Sequence, residues 1–89
     1  MAWNITLSAA AEKELQKLGT AEARRILKFL FQRVQPLEDP RSIGEALRSP
    51  LGEFWKYRVG DYRIIAEIDD RQVRILIVRI GNRRDIYRH

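Results

Sequence analysis

Three cations punctuate one short run of this chain, Phe54-Trp55-Lys56-Tyr57-Arg58-Val59-Gly60-Asp61-Tyr62-Arg63. The run reads as two strands joined by a Gly60-Asp61 turn. A two-residue loop places Val59 across from Tyr62 and Arg58 across from Arg63. The period of 2 then gathers Lys56, Arg58 and Arg63 on one face. Like charges opposite one another destabilise a sheet. A fold that accepts this cost without a nearby acid holds something anionic there. Phosphate is the natural ligand, because guanidinium forks match its oxygens in a bidentate way.

Eighty-nine residues, 45% of them hydrophobic, suffice for one small core, so residues 1–89 are read as a single domain. There is no Cys, which excludes disulfides and thiolate metal sites, and the one His is His89. No Asp/Glu/His cluster has ligand spacing, so neither a metal nor another cofactor is expected. No apolar run is long enough to span a bilayer, and the Met1-Ala2-Trp3-Asn4 start lacks the pattern of a signal peptide. The expectation is a cytoplasmic protein with no membrane partner. Formal charge is +5. Residues 1–40 hold six Lys/Arg against five Asp/Glu, net +1; residues 41–89 hold eleven against seven, net +4. Ten of those eleven are Arg, which suits phosphate better than Lys does.

The elements that position these cations can be read from periodicity. Ala2 to Leu7 alternates as a strand. Ser8 caps a helix through Leu15 and Leu18 that ends at Gly19. Thr20 caps a second helix with an apolar stripe of Ala23, Ile26, Leu27, Leu30, Phe31 and Val34. Pro36 and Pro40 close the helical half. Arg41 to Leu47 reads as a short helical turn. The hairpin follows, then a strand from about Gln72 to Ile80, with Val73, Ile75 and Ile77 on one face and Leu76, Val78 and Ile80 on the other. The predicted fold is α+β: two N-terminal helices packed on a mainly antiparallel four-stranded sheet in the order β-α-α-β-β-β. Trp3, Trp55, Tyr57 and Tyr62 are assigned to the core.

The hairpin motif, continued through Ile64-Ile65, together with the terminal Gly81-Asn82-Arg83-Arg84-Asp85-Ile86-Tyr87, resembles the RelE/ParE superfamily of toxins from type II toxin–antitoxin modules, and the RelE branch in particular. The resemblance covers essentially the whole chain. It implies a metal-independent endoribonuclease that cuts mRNA in the ribosomal A site and so inhibits translation. It also implies a cognate antitoxin that wraps the toxin and binds operator DNA.

By position, the resemblance implies catalytic roles for Lys56, Arg63, Arg83 and Tyr87, and RNA contacts for Arg58, Arg84 and Arg88. The ribose 2′-OH attacks the adjacent phosphate, leaving a cyclic phosphate and a 5′-OH. Such a reaction needs a base, a clamp on the phosphorane and a proton for the leaving oxygen. Lys56 is the expected base, Arg63 and Arg83 the clamp, and Tyr87 a stacking or orienting group. Asn82 stands where many relatives carry a histidine, and two residues after Tyr87 leave no room for the C-terminal helix of some members. Glu45 lies where some relatives place a catalytic carboxylate and is read here as a helix-surface charge.

Other readings compete. Lys56 and Arg58 suit an ordinary exposed sheet face, Arg63 can pair with Glu67, and Tyr87 can plug the core. At the level of function, the alternatives are a ParE-like inhibitor that binds DNA gyrase without nuclease chemistry, and a catalytically weak antitoxin-binding relative. The cationic residues with a C-terminal Tyr favour the nuclease.

Overall fold

The computed structural model describes residues 2–50, 52–82 and 84. Strand β1 (Asn4–Leu7) leads into helix α1 (Ala9–Lys17) and helix α2 (Thr20–Phe29). A wider helical turn, Leu30–Val34, continues α2, with Gln35 N–H donating to Leu30 O at 2.9 Å across five residues. A 3-10 turn, Pro40–Ile43, precedes strands β2 (Glu45–Ser49), β3 (Gly52–Val59), β4 (Tyr62–Asp69) and β5 (Arg74–Asn82).

The sheet corrects the expectation in two respects. Among the described residues it has five strands in the order β1-β5-β4-β3-β2, and it is mixed, because β1 runs parallel to β5 while the other pairs are antiparallel. The added strand is β2, in the segment expected to be helical: only Pro40–Ile43 turns helically, and Glu45–Ser49 pairs with β3.

Ser8 performs the handover from β1 to α1. Its N–H extends the ladder to Ile77 O (2.8 Å). Its Oγ accepts from Ala11 N–H (3.0 Å), capping α1, and donates to Val78 O (2.8 Å). Beyond Leu7 no strand among the described residues lies beside the edge of β5, and Glu14 of α1 takes over. Glu14 Oε1 accepts Ile80 N–H at 2.9 Å, and the carboxylate pairs with the Arg79 guanidinium at 3.0 Å. A buried ladder group is thereby satisfied by a side chain.

Gly19 ends α1 and starts α2. Its φ of +86° with ψ 163° is an extended, positive-φ conformation open essentially to glycine alone, and it stands as the N-cap of α2 without a side-chain bond. Thr20, expected to be the cap, is instead the first helical residue. Ile26, Leu30 and Val34 of α2 and the wider turn are fully buried, while Phe31 is 43% exposed and does not join the stripe. Tyr57, Ile64, Ala66, Ile75, Ile77 and Ile80 supply the sheet side of the core with Trp3, Ala11 and Leu15. Trp3 and Tyr57 are core as expected, and Tyr62 is half-buried but packed against the core, whereas Trp55 is half-buried outside that cluster.

A bulge alters the expected faces of β5. Ile64 pairs with Ile80, and Ala66 with Ile77, so two residues of β4 span three of β5 and Val78 is left over. Ile77 and Ile80 therefore both reach the core, although strict alternation assigned them opposite faces. The same shift puts Arg79 opposite Ile65 and Gly81 opposite Arg63. Among the described residues no helix is long and apolar enough to cross a membrane.

Candidate phosphate-binding site

The β3–β4 hairpin has the expected register: Val59 faces Tyr62, and Arg58 faces Arg63. Gly60 carries φ +59° at the first turn position, the conformation in which a two-residue loop matches strand twist. Lys56, Arg58 and Arg63 accordingly share the sheet face away from the helices, Lys56 lying opposite Ile65.

An acid accompanies them. Strand β2 places Glu45 directly opposite Lys56. Its Oε2 lies 3.4 Å from Lys56 Nζ, and its Oε1 lies 3.9 Å from Arg58 Nη2. Glu45 is thus a site residue and not a helix-surface charge. Its signal in the sequence was confined to the family position, because the helix reading hid its pairing. The carboxylate also offsets the repulsion between Lys56 and Arg58 that an acid-free hairpin would suffer.

Arg63 is only 8% exposed. Its Nη1 donates to Gly60 O (3.2 Å) and Tyr62 O (3.1 Å). Arg63 is a buried brace of the turn and not the surface residue expected. Among the described residues it forms no ion pair with Glu67, and the other edge of its guanidinium makes no hydrogen bond. Arg84 is exposed, and its N–H donates to Asn82 Oδ1 at 3.0 Å. Arg83, Tyr87 and Arg88 lie outside the described residues.

The site rests on a second network. Tyr57 is fully buried beneath Lys56 and Arg58, its hydroxyl donating to Pro40 O at 2.6 Å and its ring meeting Phe29 edge-on at 6.0 Å. Burial pushes the Tyr57 phenol up to about 12. Arg41, next to Pro40, forks onto Asp70 at 2.7 and 3.2 Å and lies 5.8 Å over the Trp55 ring. Its hydrogen bonds to Asp70 hold that guanidinium above its ordinary range. The turn that introduces β2, and with it Glu45, is therefore tied to both β3 and the β4–β5 turn. Among the described residues no three His, Cys, Asp or Glu side chains gather as metal ligands.

The comparisons agree with this architecture. The family model of the ParE toxin of type II toxin–antitoxin systems, parDE, matches residues 5–87. Toxin RelE of Mycobacterium tuberculosis is 33% identical over 86 residues, 97% of this chain and 87% of that protein. Toxin RelG of the same organism is 30% identical over 88 residues, 99% of each. The crystal structure of the toxin–antitoxin complex RelBE2 from Mycobacterium tuberculosis contains a chain that superposes with TM-score 0.83 at 26% identity, covering 96% of this chain and 95% of that one. This chain belongs to the RelE/ParE family of toxins of type II toxin–antitoxin systems.

Proposed function

We propose that the protein is a ribosome-dependent mRNA endoribonuclease. The observation that carries this reading is the meeting of Lys56, Arg58 and Glu45 on one sheet face, with the Lys56–Glu45 contact at 3.4 Å. A carboxylate beside two cations supplies the base and the charge clamp of the transphosphorylation, and the Lys56 ammonium gives the proton that the leaving 5′-oxygen takes up. Glu45 has the lone pair to take the 2′-OH proton. Lys56 and Arg58 hold charge where the phosphorane develops it. This division moves the base from Lys56, where it was expected, to Glu45. Arg63 uses one nitrogen to brace the turn, and the rest of its guanidinium supports the phosphate from below. Arg83 and Tyr87 complete the site as clamp and orienting group, and Arg84 and Arg88 extend its RNA contacts.

The partners follow from the same reading. The toxin acts on mRNA in the ribosomal A site, in the cytoplasm, and a cognate antitoxin neutralises it and carries the pair to operator DNA. A groove of about 780 Å³ between α1 and α2, lined by Leu15, Ala23, Leu27 and Phe31 with Arg24 and Lys28, suits an acidic, amphipathic antitoxin segment. The relative with TM-score 0.83 was itself solved as a toxin–antitoxin complex.

Addition to a translating extract, followed by primer extension on the mRNA, tests the activity. Cuts that persist after chelation, with the ribosome's magnesium restored separately, support the metal-free mechanism. A second reading is favoured by the name of the family model, the ParE toxin. A gyrase-binding inhibitor would leave the mRNA whole and block supercoiling in a parallel assay.

A further inference from the structure

A second basic recess adjoins the hairpin on its helical side. It measures about 490 Å³ and is lined by Arg25, Lys28, Gln32 and Arg33 from α2 and its continuation, and by Arg58 and Gly60 from the hairpin. Four of these are cations, and among the described residues no carboxylate lines the recess. Glu22 reaches Arg25 only at 4.0 Å on an exposed helix face, a weak pairing. The Arg25 guanidinium lies over the turn: a Cβ placed on Gly60 would sit 2.9 Å from Arg25 Nη1. The chain thus leaves room for a guanidinium above the glycine and concentrates like charge around a hollow. The aromatic ring at its wall, Phe29, is engaged edge-on with Tyr57, so the recess offers donors and charge but no stacking platform.

Arg58 belongs to both places. It lines this recess and approaches Glu45 at the site on the other side of the hairpin. We propose that the recess is a second phosphate subsite, which holds the backbone of the same single-stranded RNA after it passes over the Gly60 turn. This proposal rests on the ribonuclease reading. The contact is sequence-blind, because charge and forked donors meet phosphate oxygens and no base edge is read. It fixes the register of the strand against Glu45 and Lys56 without taking part in the chemistry.

Equilibrium binding of the whole protein to RNA, measured against salt, tests it. The probes are a single-stranded ribo-oligonucleotide of about twelve nucleotides, within the span that such tracks cover, and a dinucleotide too short to reach both places. The variants are Arg25→Gln with Lys28→Gln, and as a control Lys13→Gln with Lys17→Gln, which removes the same charge from α1. Each phosphate contact on a single strand contributes about 0.7 to the log–log salt slope, so the first pair should lower the slope for the long probe by about 1.4. The dinucleotide should bind both variants as it binds the wild type. The control should leave the slope for the long probe near the wild-type value, with all melting temperatures alike. An unchanged slope in the α2 variant, equal losses in both variants, or a long probe bound no better than the dinucleotide would overturn the subsite. Failure of the ribonuclease reading looks different: wild-type protein leaves mRNA uncut on the ribosome while the slope difference between the variants persists.

Discussion

The Glu45 carboxylate stands opposite Lys56 across the β2–β3 ladder, 3.4 Å from its ammonium. The pair joins an edge strand to the hairpin and gives a chain with no histidine among its described residues a proton acceptor beside a cation.

Glu45→Gln should lower mRNA cutting by about 100-fold or more, the usual scale of a lost general base. The Glu45 side chain is 63% exposed, so the fold should lose no more than about 1 kcal/mol. Rates measured for Glu45→Gln, Lys56→Ala and the double variant should be far from additive, because in the proposed mechanism the two groups serve one proton transfer and one phosphate. A Glu45→Gln protein that cuts at the wild-type rate would remove Glu45 from the mechanism.

Arg63→Ala should damage both stability and activity. Its Nη1 bonds Gly60 O and Tyr62 O within a nearly closed environment, and leaving those acceptors without a donor should cost about 1–3 kcal/mol. Denaturant melts separate the two effects. Cutting that recovers fully under stabilising conditions would mean that Arg63 only braces the turn.

Much of this arrangement was legible in the sequence, and the misses have physical causes. The hairpin register followed from alternation around Gly60-Asp61, where local chemistry decides the pairing. Strand β2 did not, because Glu45-Ala46-Leu47-Arg48-Ser49 is a short, mostly exposed edge strand whose composition suits a helix as well. Losing β2 also lost the Glu45–Lys56 pair. The Val78 bulge is met by the Ser8 hydroxyl and by the shifted register of β4, which no local pattern announces, so Ile80 was placed on the wrong face. Arg63 carries the side-chain type of a surface residue, and only the tertiary structure reveals that it is buried.

Tyr57 supplies a pH signature. Its folded phenol is raised to about 12 from an ordinary value of 10.0. The unfolded chain therefore ionises first as pH rises. The resulting stability is fully present below about pH 10 and is lost between pH 10 and about pH 12. Tyr57→Phe should flatten that part of the stability curve. It should also cost about 1–2 kcal/mol near neutral pH, because Pro40 O loses its donor. An identical alkaline profile for wild type and variant would refute this account of Tyr57.

Glu14→Ala should be among the most damaging changes on α1. It unpairs Arg79 and leaves Ile80 N–H without an acceptor at the open edge of β5, for a loss of about 2–3 kcal/mol. Amide exchange should show the effect directly, with Ile80 losing protection while Ile64 keeps it. Unchanged protection at Ile80 would show that the carboxylate does not hold that edge.

The most direct test of the ribonuclease account is primer extension on mRNA from a translating extract, with wild-type protein and a Lys56→Ala variant shown to be folded. The account predicts discrete cuts at ribosomal A-site codons with wild type and none above background with Lys56→Ala. Uncut mRNA with the wild type, or equal cutting by Lys56→Ala, would contradict it.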